Sequence, residues 1–144
     1  MNNSINIFAL LSFLFLMSCN GLSNFEDNIP EERVCEATNS LIGQTRSFPA
    51  GNIYNITGDV TVVSDCEIEV TNFNYDGRGP NVAFYSGVNG NFRVGFPMSD
   101  RLNGTNWEDA TFSVYLPEGE SFEDFNSFSI WCFQFNVDFS SVDF

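Results

Sequence analysis

A stretch of strictly alternating side chains near the end of the chain is the feature that most constrains the fold. From Trp131 to Phe139, large apolar residues occupy every second position and polar ones stand between them. Because side chains along a β-strand point to opposite faces in turn, this period of two predicts one half-buried strand over Ser129–Phe139. Its apolar face would carry Trp131, Phe133, Phe135, Val137 and Phe139, and its wetter face Cys132, Gln134, Asn136 and Asp138. We therefore expect Cys132 to lie on the polar face, outside the aromatic core.

The rest of the chain repeats this pattern in shorter pieces separated by turn-forming residues. The β-rich segments are 52–56, 59–63, 66–71, 82–85, 92–96, 110–116 and 128–139, and none of them shows a sustained helical period. Each half-buried strand must close its apolar face on a second sheet. The sequence therefore predicts an all-β fold, a single antiparallel β-sandwich or barrel-like domain, with most of the 17 phenylalanines in its core.

The first residues resemble the signal of a bacterial lipoprotein. The apolar run Ile5–Met17 is shorter than the roughly 20 residues of a transmembrane helix, and Leu16-Met17-Ser18-Cys19 looks like a lipobox. The resemblance implies cleavage before Cys19 and lipidation of its thiol. We expect residues 1–18 to be a signal peptide, 19–40 a lipidated tether and 41–144 the β domain. The protein would be exported and lipid-anchored in the bacterial cell envelope, at the outer membrane or cell surface.

The charge of the chain excludes several classes of partner and reaction. Its net charge is −14, with five Lys and Arg residues in total and no histidine. Such an acidic chain is not expected to bind nucleic acid. The absence of histidine removes Ser-His-Asp and Cys-His catalysis and histidine-ligated metal sites. Asp76 and Asp109 stand in turn-like sequence where carboxylates could collect calcium, but they lack the ladder of a calcium loop, so we predict no metal site. Whether the domain is an enzyme stays open, and the missing catalytic residues favour a domain that is not an enzyme in its own right.

Five segments, in order and spacing, are similar to the DM-thirteen domain family. They are Leu41-Ile42-Gly43, Gly58–Val63 followed by Asp65-Cys66, Asn72–Tyr85, Val114–Pro117 and Ser129–Cys132. The family comprises secreted or cell-surface β domains. The resemblance implies a role in electron transfer through one cysteine, acting as a bare thiol or as a haem ligand, and the cysteine that matches is Cys132.

The remaining cysteines can pair in more than one way. If Cys19 carries lipid and Cys132 is the family's thiol, Cys35 and Cys66 are the natural disulfide pair. A bridge that includes Cys132 remains an alternative, and Cys66 could also be a plain buried thiol, because the period of two turns it inward with Ile68 and Val70.

Two hypotheses about function follow. In the first, the domain is a redox accessory in which Cys132 exchanges electrons or a disulfide with a partner protein. No cofactor is predicted, although haem held by Cys132 and Met98 is an alternative. In the second, the domain is a non-catalytic surface binding or adhesion module with a structural disulfide, and Trp107, in a loop sequence, contacts a glycan or protein.

Overall fold

The computed structural model describes residues 35–52 and 54–144, so the predicted signal peptide and Cys19 lie outside the described residues. Seven strands and one short 3-10 helix, Phe92–Val94, make up the regular structure of this part. The strands are β1 (Thr45–Ser47), β2 (Thr57–Val62), β3 (Glu67–Tyr75), β4 (Val82–Gly87), β5 (Trp107–Tyr115), β6 (Ser127–Cys132) and β7 (Val137–Asp143). No helix among the described residues is long and apolar enough to cross a membrane.

The strands form two antiparallel sheets that enclose a core. One sheet has the order β1-β2-β3-β5 and the other β4-β6-β7. The predicted alternation of β3 is confirmed, since Ile68 and Val70 are buried while Glu69 between them is exposed. The prediction of an all-β sandwich is therefore confirmed. Its physical basis is the one expected, because each sheet covers the apolar face of the other.

The predicted single strand over Ser129–Phe139 is wrong, because the chain turns back within it. β6 ends at Cys132, residues 133–136 form the turn, and β7 begins at Val137. Asn136 has a φ of 54°, in the left-handed region that asparagine tolerates better than most residues. Because the loop has an even number of residues, apolar residues still fall at every second position on both sides of it. The sequence pattern therefore runs through the turn without a visible break. We call residues 133–136 the hairpin tip.

The two faces of β6 are the reverse of those predicted. Cys132 is buried in the core between the sheets, together with Ile130 and Phe128. Trp131 lies on the outer face of the same sheet, where it stacks on Tyr85 with ring centroids 5.5 Å apart. The expectation that Cys132 occupies a wetter face and Trp131 the core is therefore wrong. The wide aromatic cluster on the outer face explains how Trp131 is still almost completely buried.

Two predicted strands are turns in the structure, and in both an asparagine side chain replaces strand pairing. In segment 52–56, the side chain of Asn52 accepts a bond from the amide of Ile56 at 2.7 Å and donates to its carbonyl at 2.6 Å. In segment 92–96, the side chain of Asn91 accepts a bond from the amide of Arg93 at 3.1 Å, at the start of the 3-10 helix. Such local bonds compete with a ladder between strands.

Candidate functional site

The structure separates the described cysteines into a disulfide and a free thiol. Cys35 and Cys66 are joined, with their Cα atoms 5.5 Å apart, as predicted. Cys132 is a free, buried cysteine, so neither a bridge that includes it nor a plain thiol at Cys66 occurs here. The carboxylate of Asp65 reinforces the disulfide because it accepts bonds from the backbone and side chains of Thr38 and Asn39.

The thiol of Cys132 lies at the end of β6 with no exposed surface. Its sulfur donates a hydrogen bond to the carbonyl oxygen of Pro80 at 3.1 Å. On either side, Cys132 pairs with Val82 of β4 and with Val137 of β7. A partner molecule cannot reach the sulfur in this conformation, because the loop of residues 76–81, which carries Pro80, lies over it. We call these residues the cover loop.

Three loops meet at this end of the sandwich, which we call the thiol end. They are residues 76–81, residues 101–105 and the hairpin tip. The amide of Gly104 donates to the carbonyl of Gly77 at 2.9 Å, and the amide of Phe133 donates to the carbonyl of Asn81 at 3.0 Å. The guanidinium of Arg101 lies 4.2 Å from the centre of the Phe133 ring. These contacts tie the cover over Cys132 to both neighbouring loops.

Tyr75 also holds the cover loop in place. Its side chain is buried at the end of β3, and its hydroxyl donates a hydrogen bond to the carbonyl of Arg78. Burial raises the pKa of Tyr75 to about 12, with smaller electrostatic contributions from the neighbouring Asp76, Tyr54 and Cys132 side chains. The phenol is therefore neutral at physiological pH, so it acts as a hydrogen-bond donor to the loop and not as a base.

Aromatic rings close the remaining side of the thiol end. Tyr54 stacks on Phe139 with centroids 4.2 Å apart, and its ring meets that of Tyr75 edge-on at 6.4 Å. Gly79 leaves room for this packing, since a Cβ atom built there would lie 2.8 Å from the ring of Phe139. The site is thus a buried thiol under a glycine-containing loop, surrounded by aromatic side chains.

The disulfide and the free thiol lie at opposite ends of β3. Cys66 immediately precedes this nine-residue strand, whereas Tyr75, at its other end, bonds to Arg78 in the same loop whose Pro80 carbonyl accepts the bond from Cys132. Nine residues of extended chain span roughly 27 Å. Cys132 therefore cannot exchange with the Cys35–Cys66 disulfide inside one folded molecule, and any disulfide exchange at Cys132 needs a second molecule.

Comparison with known proteins places this arrangement in a family. A family model described as "Electron transfer DM13" matches residues 47–144, which include the cover loop, the hairpin and Cys132. The chain belongs to the DM13 family. The match confirms the resemblance recognised in the sequence, and it identifies the domain as an electron-transfer domain by family.

Two curated relatives share this domain. They are Protein Skeletor isoforms B/C and isoforms D/E of Drosophila melanogaster, each 31% identical over 96 residues. The aligned stretch is 62% of this chain but 12% and 6% of the relatives' own lengths. The similarity therefore concerns the DM13 domain alone. No solved structure matches the chain.

Trp107, the predicted ligand contact, is the first residue of β5 and not part of a loop, and it pairs with Tyr75 of β3 near the thiol end. Trp107 is half-buried and its indole nitrogen donates to the carbonyl of Leu102 at 2.9 Å. It lines a surface groove of about 280 Å³, together with Met98, Arg101, Phe112 and other residues of β5 and the 98–102 segment. The predicted ligand contact at Trp107 stays a prediction, and the groove is the surface where it would occur.

Cys132 and Met98, the residues named for the haem alternative, are separated by one strand. The amide of Met98 bonds to the carbonyl of Phe84 at 2.9 Å, so Met98 lies on the far side of β4 from β6. Two strand spacings correspond to roughly 10 Å between the backbones. Both side chains belong to the buried core, and haem binding by this pair stays a prediction.

Asp76 and Asp109 do not form a cation site with each other. Asp76 makes an ion pair with Arg78 at 3.2 Å, and it also accepts a bond from the backbone amide of Arg78. Asp109 is exposed on β5, and its amide bonds to Asn74. Among the residues that the structure describes, no group of three or more Cys, Asp and Glu side chains could hold a metal ion.

Sequence reasoning missed the groups that surround the thiol. Asp76–Pro80 reads as a turn, and the sequence gives no sign that the carbonyl of Pro80 accepts the thiol's hydrogen bond. The positions of Tyr75 and Pro80 relative to Cys132 depend on how the two sheets stack. The one available signal was the family resemblance, because the Asn72–Tyr85 segment that carries the cover loop was part of it.

Proposed function

We propose that this DM13 domain is an electron-transfer accessory whose redox group is the Cys132 thiol, held at the bacterial cell envelope by lipid on Cys19. The observation that carries the proposal is the pairing of the cysteines. In a domain of an electron-transfer family, Cys35 and Cys66 are consumed in a structural disulfide, while Cys132 is kept as a thiol in a rigid core.

The chemistry that suits one thiol is disulfide exchange with a dithiol protein as the reductant. The Cys132 thiolate attacks the disulfide of an oxidised partner protein, a mixed disulfide forms at Cys132, and one thiolate of that partner leaves. A thiolate of the dithiol protein attacks the Cys132 sulfur and releases the first partner as a second thiolate, and the other thiolate of the dithiol protein then closes its own disulfide and releases the Cys132 thiolate. Two electrons have passed from the dithiol protein, which becomes a disulfide, to the first partner's disulfide, and the domain returns to its starting state.

Burial of the thiol fits this role when the cover loop opens. A closed cover keeps small oxidants away from the sulfur and so protects it from oxidation to sulfinic or sulfonic acid. Opening requires loss of the thiol's bond to Pro80 and of the loop contacts at Gly77 and Asn81, and it leaves the strand pairs intact. Local openings of this size cost less free energy than global unfolding.

The test is differential alkylation of the protein in the cells that make it. Acid quenching, alkylation of free thiols and non-reducing peptide mapping will report the state of each cysteine. We expect Cys35 joined to Cys66 and a fraction of Cys132 in a disulfide to another molecule, which disappears in both Cys132→Ser and Cys132→Ala variants. Two variants are needed because a hydroxyl at this buried site could impair folding.

The proposal is overturned if Cys132 is fully reduced under both oxidising and reducing growth conditions. It is equally overturned if Cys132 is bridged to Cys35 or Cys66 in all molecules. A matched control is the Cys19→Ser variant, which retains Cys132 but lacks the lipid attachment point. We expect it to be released from the membrane fraction while Cys132 keeps its ability to form the mixed disulfide.

A second candidate, a surface binding module, is favoured by the groove that Trp107 lines. Its aromatic and polar lining, with Arg101 and Ser113 beside Trp107, suits a small glycan or peptide. Binding of immobilised glycans that survives Cys132→Ala and is lost in Arg101→Ala would support this function. Absence of binding to glycans and peptides by the folded protein would exclude it.

A further inference from the structure

The hairpin tip next to the thiol exposes apolar side chains that the sandwich does not need. Phe135 is 61% exposed and Val137 is 42% exposed, and both belong to the few large hydrophobic residues of the described chain that face solvent. Val137 lies directly opposite Cys132 in the hairpin. Exposed aromatic side chains are enriched where proteins bind one another, since they bury a large area on contact.

An arginine without an ion-pair partner lies against another residue of the hairpin tip, Phe133. Arg101 lies over the ring of Phe133, and among the described residues no carboxylate is within ion-pair distance of it, its chain neighbour Asp100 included. Two nearby carboxylates are already engaged. Asp76 pairs with Arg78, and Asp138 accepts the hydroxyls of Ser129 and Ser141 at 2.5 and 2.7 Å. Arg46 and Arg93 also have no carboxylate partner among the described residues, so what distinguishes Arg101 is its position against the hairpin tip, 4.2 Å from the centre of the Phe133 ring.

We propose that Phe135, Val137 and Arg101, here called the tip surface, form the docking surface for the redox partner of Cys132. The partner is a protein that presents a carboxylate beside an apolar side chain, which complements the free guanidinium and the exposed ring. This inference rests on the proposed function, because it names the surface through which the same thiol is reached.

Docking at the tip surface also explains how a partner gains access to a buried sulfur. The amide of Phe133, in the hairpin tip, bonds to the carbonyl of Asn81 in the loop that covers the thiol. A ligand that binds the tip more tightly when this bond is broken shifts the population toward the open loop. Binding of the partner at the tip surface and opening of the cover loop are thus coupled through Phe133, whose amide bonds to Asn81 and whose ring contacts Arg101.

Two small disulfide probes test this surface in the full chain carrying Cys19→Ser, in which Cys132 is the free thiol. Each is a pentapeptide with leucines beside its cysteine, activated as a mixed disulfide with thionitrobenzoate, and one has aspartates where the other has lysines. Attack by the Cys132 thiolate joins the peptide to the protein and releases thionitrobenzoate, which is followed by absorbance. The readout is the ratio of the acidic to the basic probe's rate, in which any change in loop opening cancels.

We expect the acidic probe to react about threefold faster at physiological salt, the effect of one exposed ion pair. The net charge predicts the opposite order, but it acts weakly here because charges farther away than roughly 8 Å are screened at this ionic strength. Arg101→Glu should reverse the ratio and Arg93→Glu, on the 3-10 helix, should leave it unchanged. Phe135→Ser should slow both probes relative to Val94→Ser, whose side chain is 54% exposed elsewhere.

The outcomes separate the two proposals. A ratio of one or below, or a ratio that responds equally to Arg93→Glu and Arg101→Glu, overturns the docking surface while the exchange chemistry stands. If neither probe reacts with the folded chain, although both react with the chain in denaturant, the exchange function itself is overturned and the docking surface with it.

Discussion

At the scale of single residues, the fold depends on polar side chains that hold loops in place. Asp65 accepts bonds from Thr38 and Asn39, and Asp59 accepts bonds from Ser47 and Asn72. These bonds lower the pKa of Asp65, first through the hydroxyl of Thr38 and then through the amide of Asn39, against a smaller raising effect of burial. The pKa of Asp59 is lowered chiefly by the hydroxyl of Ser47.

Asp65 therefore links stability to pH. Because its folded-state pKa lies below the ordinary value of 3.8, the ionised carboxylate stabilises the fold at neutral pH, and this contribution is lost as pH falls from about 4 toward the folded-state pKa. We predict that Asp65→Asn lowers the midpoint of urea unfolding at pH 7, and that the difference from the natural chain shrinks below about pH 4. Asp124→Asn, which removes a carboxylate from the exposed loop before β6, is the control. A difference that stays constant down to pH 2 would contradict the role of Asp65.

At the scale of elements, the cover loop and its neighbour decide whether Cys132 is accessible. Gly77 has a φ of 71°, and a Cβ atom built there would lie 2.2 Å from the carbonyl oxygen of Thr105. Gly104 has a φ of 89°, but a Cβ atom there would meet nothing within 4 Å. Both glycines thus adopt a positive φ that disfavours other residues, but only at Gly77 would a side chain also collide with a neighbouring loop.

This pair gives a test of the loop contact. Gly104→Ala should cost about 1 kcal/mol of unfolding free energy from backbone strain alone. Gly77→Ala should cost about 2 kcal/mol more, because alanine there collides with backbone that cannot move aside freely. If the additional cost destabilises the closed conformation of the loop but not its open conformation, the open population increases. Alkylation of Cys132 in the native protein should then be at least roughly tenfold faster in Gly77→Ala than in Gly104→Ala. Equal alkylation rates would show that the 76–81 loop does not gate the thiol.

At the scale of the whole molecule, the sandwich keeps the disulfide and the free thiol apart. The disulfide fastens the segment that begins at Cys35 to the end of the sandwich where β3 starts, while the thiol lies where β3 ends. An exchangeable thiol in contact with a structural disulfide would scramble it, because a thiolate attacks any disulfide sulfur within reach. The length of β3 prevents this.

Removal of the disulfide should therefore weaken the fold and leave the thiol's surroundings unchanged. The double variant Cys35→Ala, Cys66→Ala should lose about 3 kcal/mol of unfolding free energy, as expected for a bridge that closes a loop of about 30 residues. In conditions where the protein remains folded, the rate at which Cys132 is alkylated should match that of the natural chain. Faster alkylation of the folded variant would show that the two ends are coupled. The double replacement avoids creating a new free thiol.

Much of the fold was determined by local pattern and needed no knowledge of the tertiary structure. The period of two in β3 and β5 fixed which side chains face inward, and the absence of a helical period fixed the class of fold. The family segments also identified Cys132 as the cysteine of interest, because their order along the chain is itself a property of sequence. The inferences about the strands succeeded because alternation is a one-dimensional consequence of strand geometry, whereas the role of Cys132 stays a prediction.

The tertiary structure alone decided which face of its sheet Cys132 occupies and what covers it. A hairpin loop of four residues preserves alternation, so the sequence pattern could not reveal that the strand ends at Cys132 and that the chain returns as β7. The bond from the thiol to Pro80, the contact of Tyr75 with the loop over the thiol, and the position of the disulfide at the other end of β3 all involve residues far apart in the chain. They follow from how the sheets stack and how loops meet at one end, and neither is encoded in any single stretch of sequence.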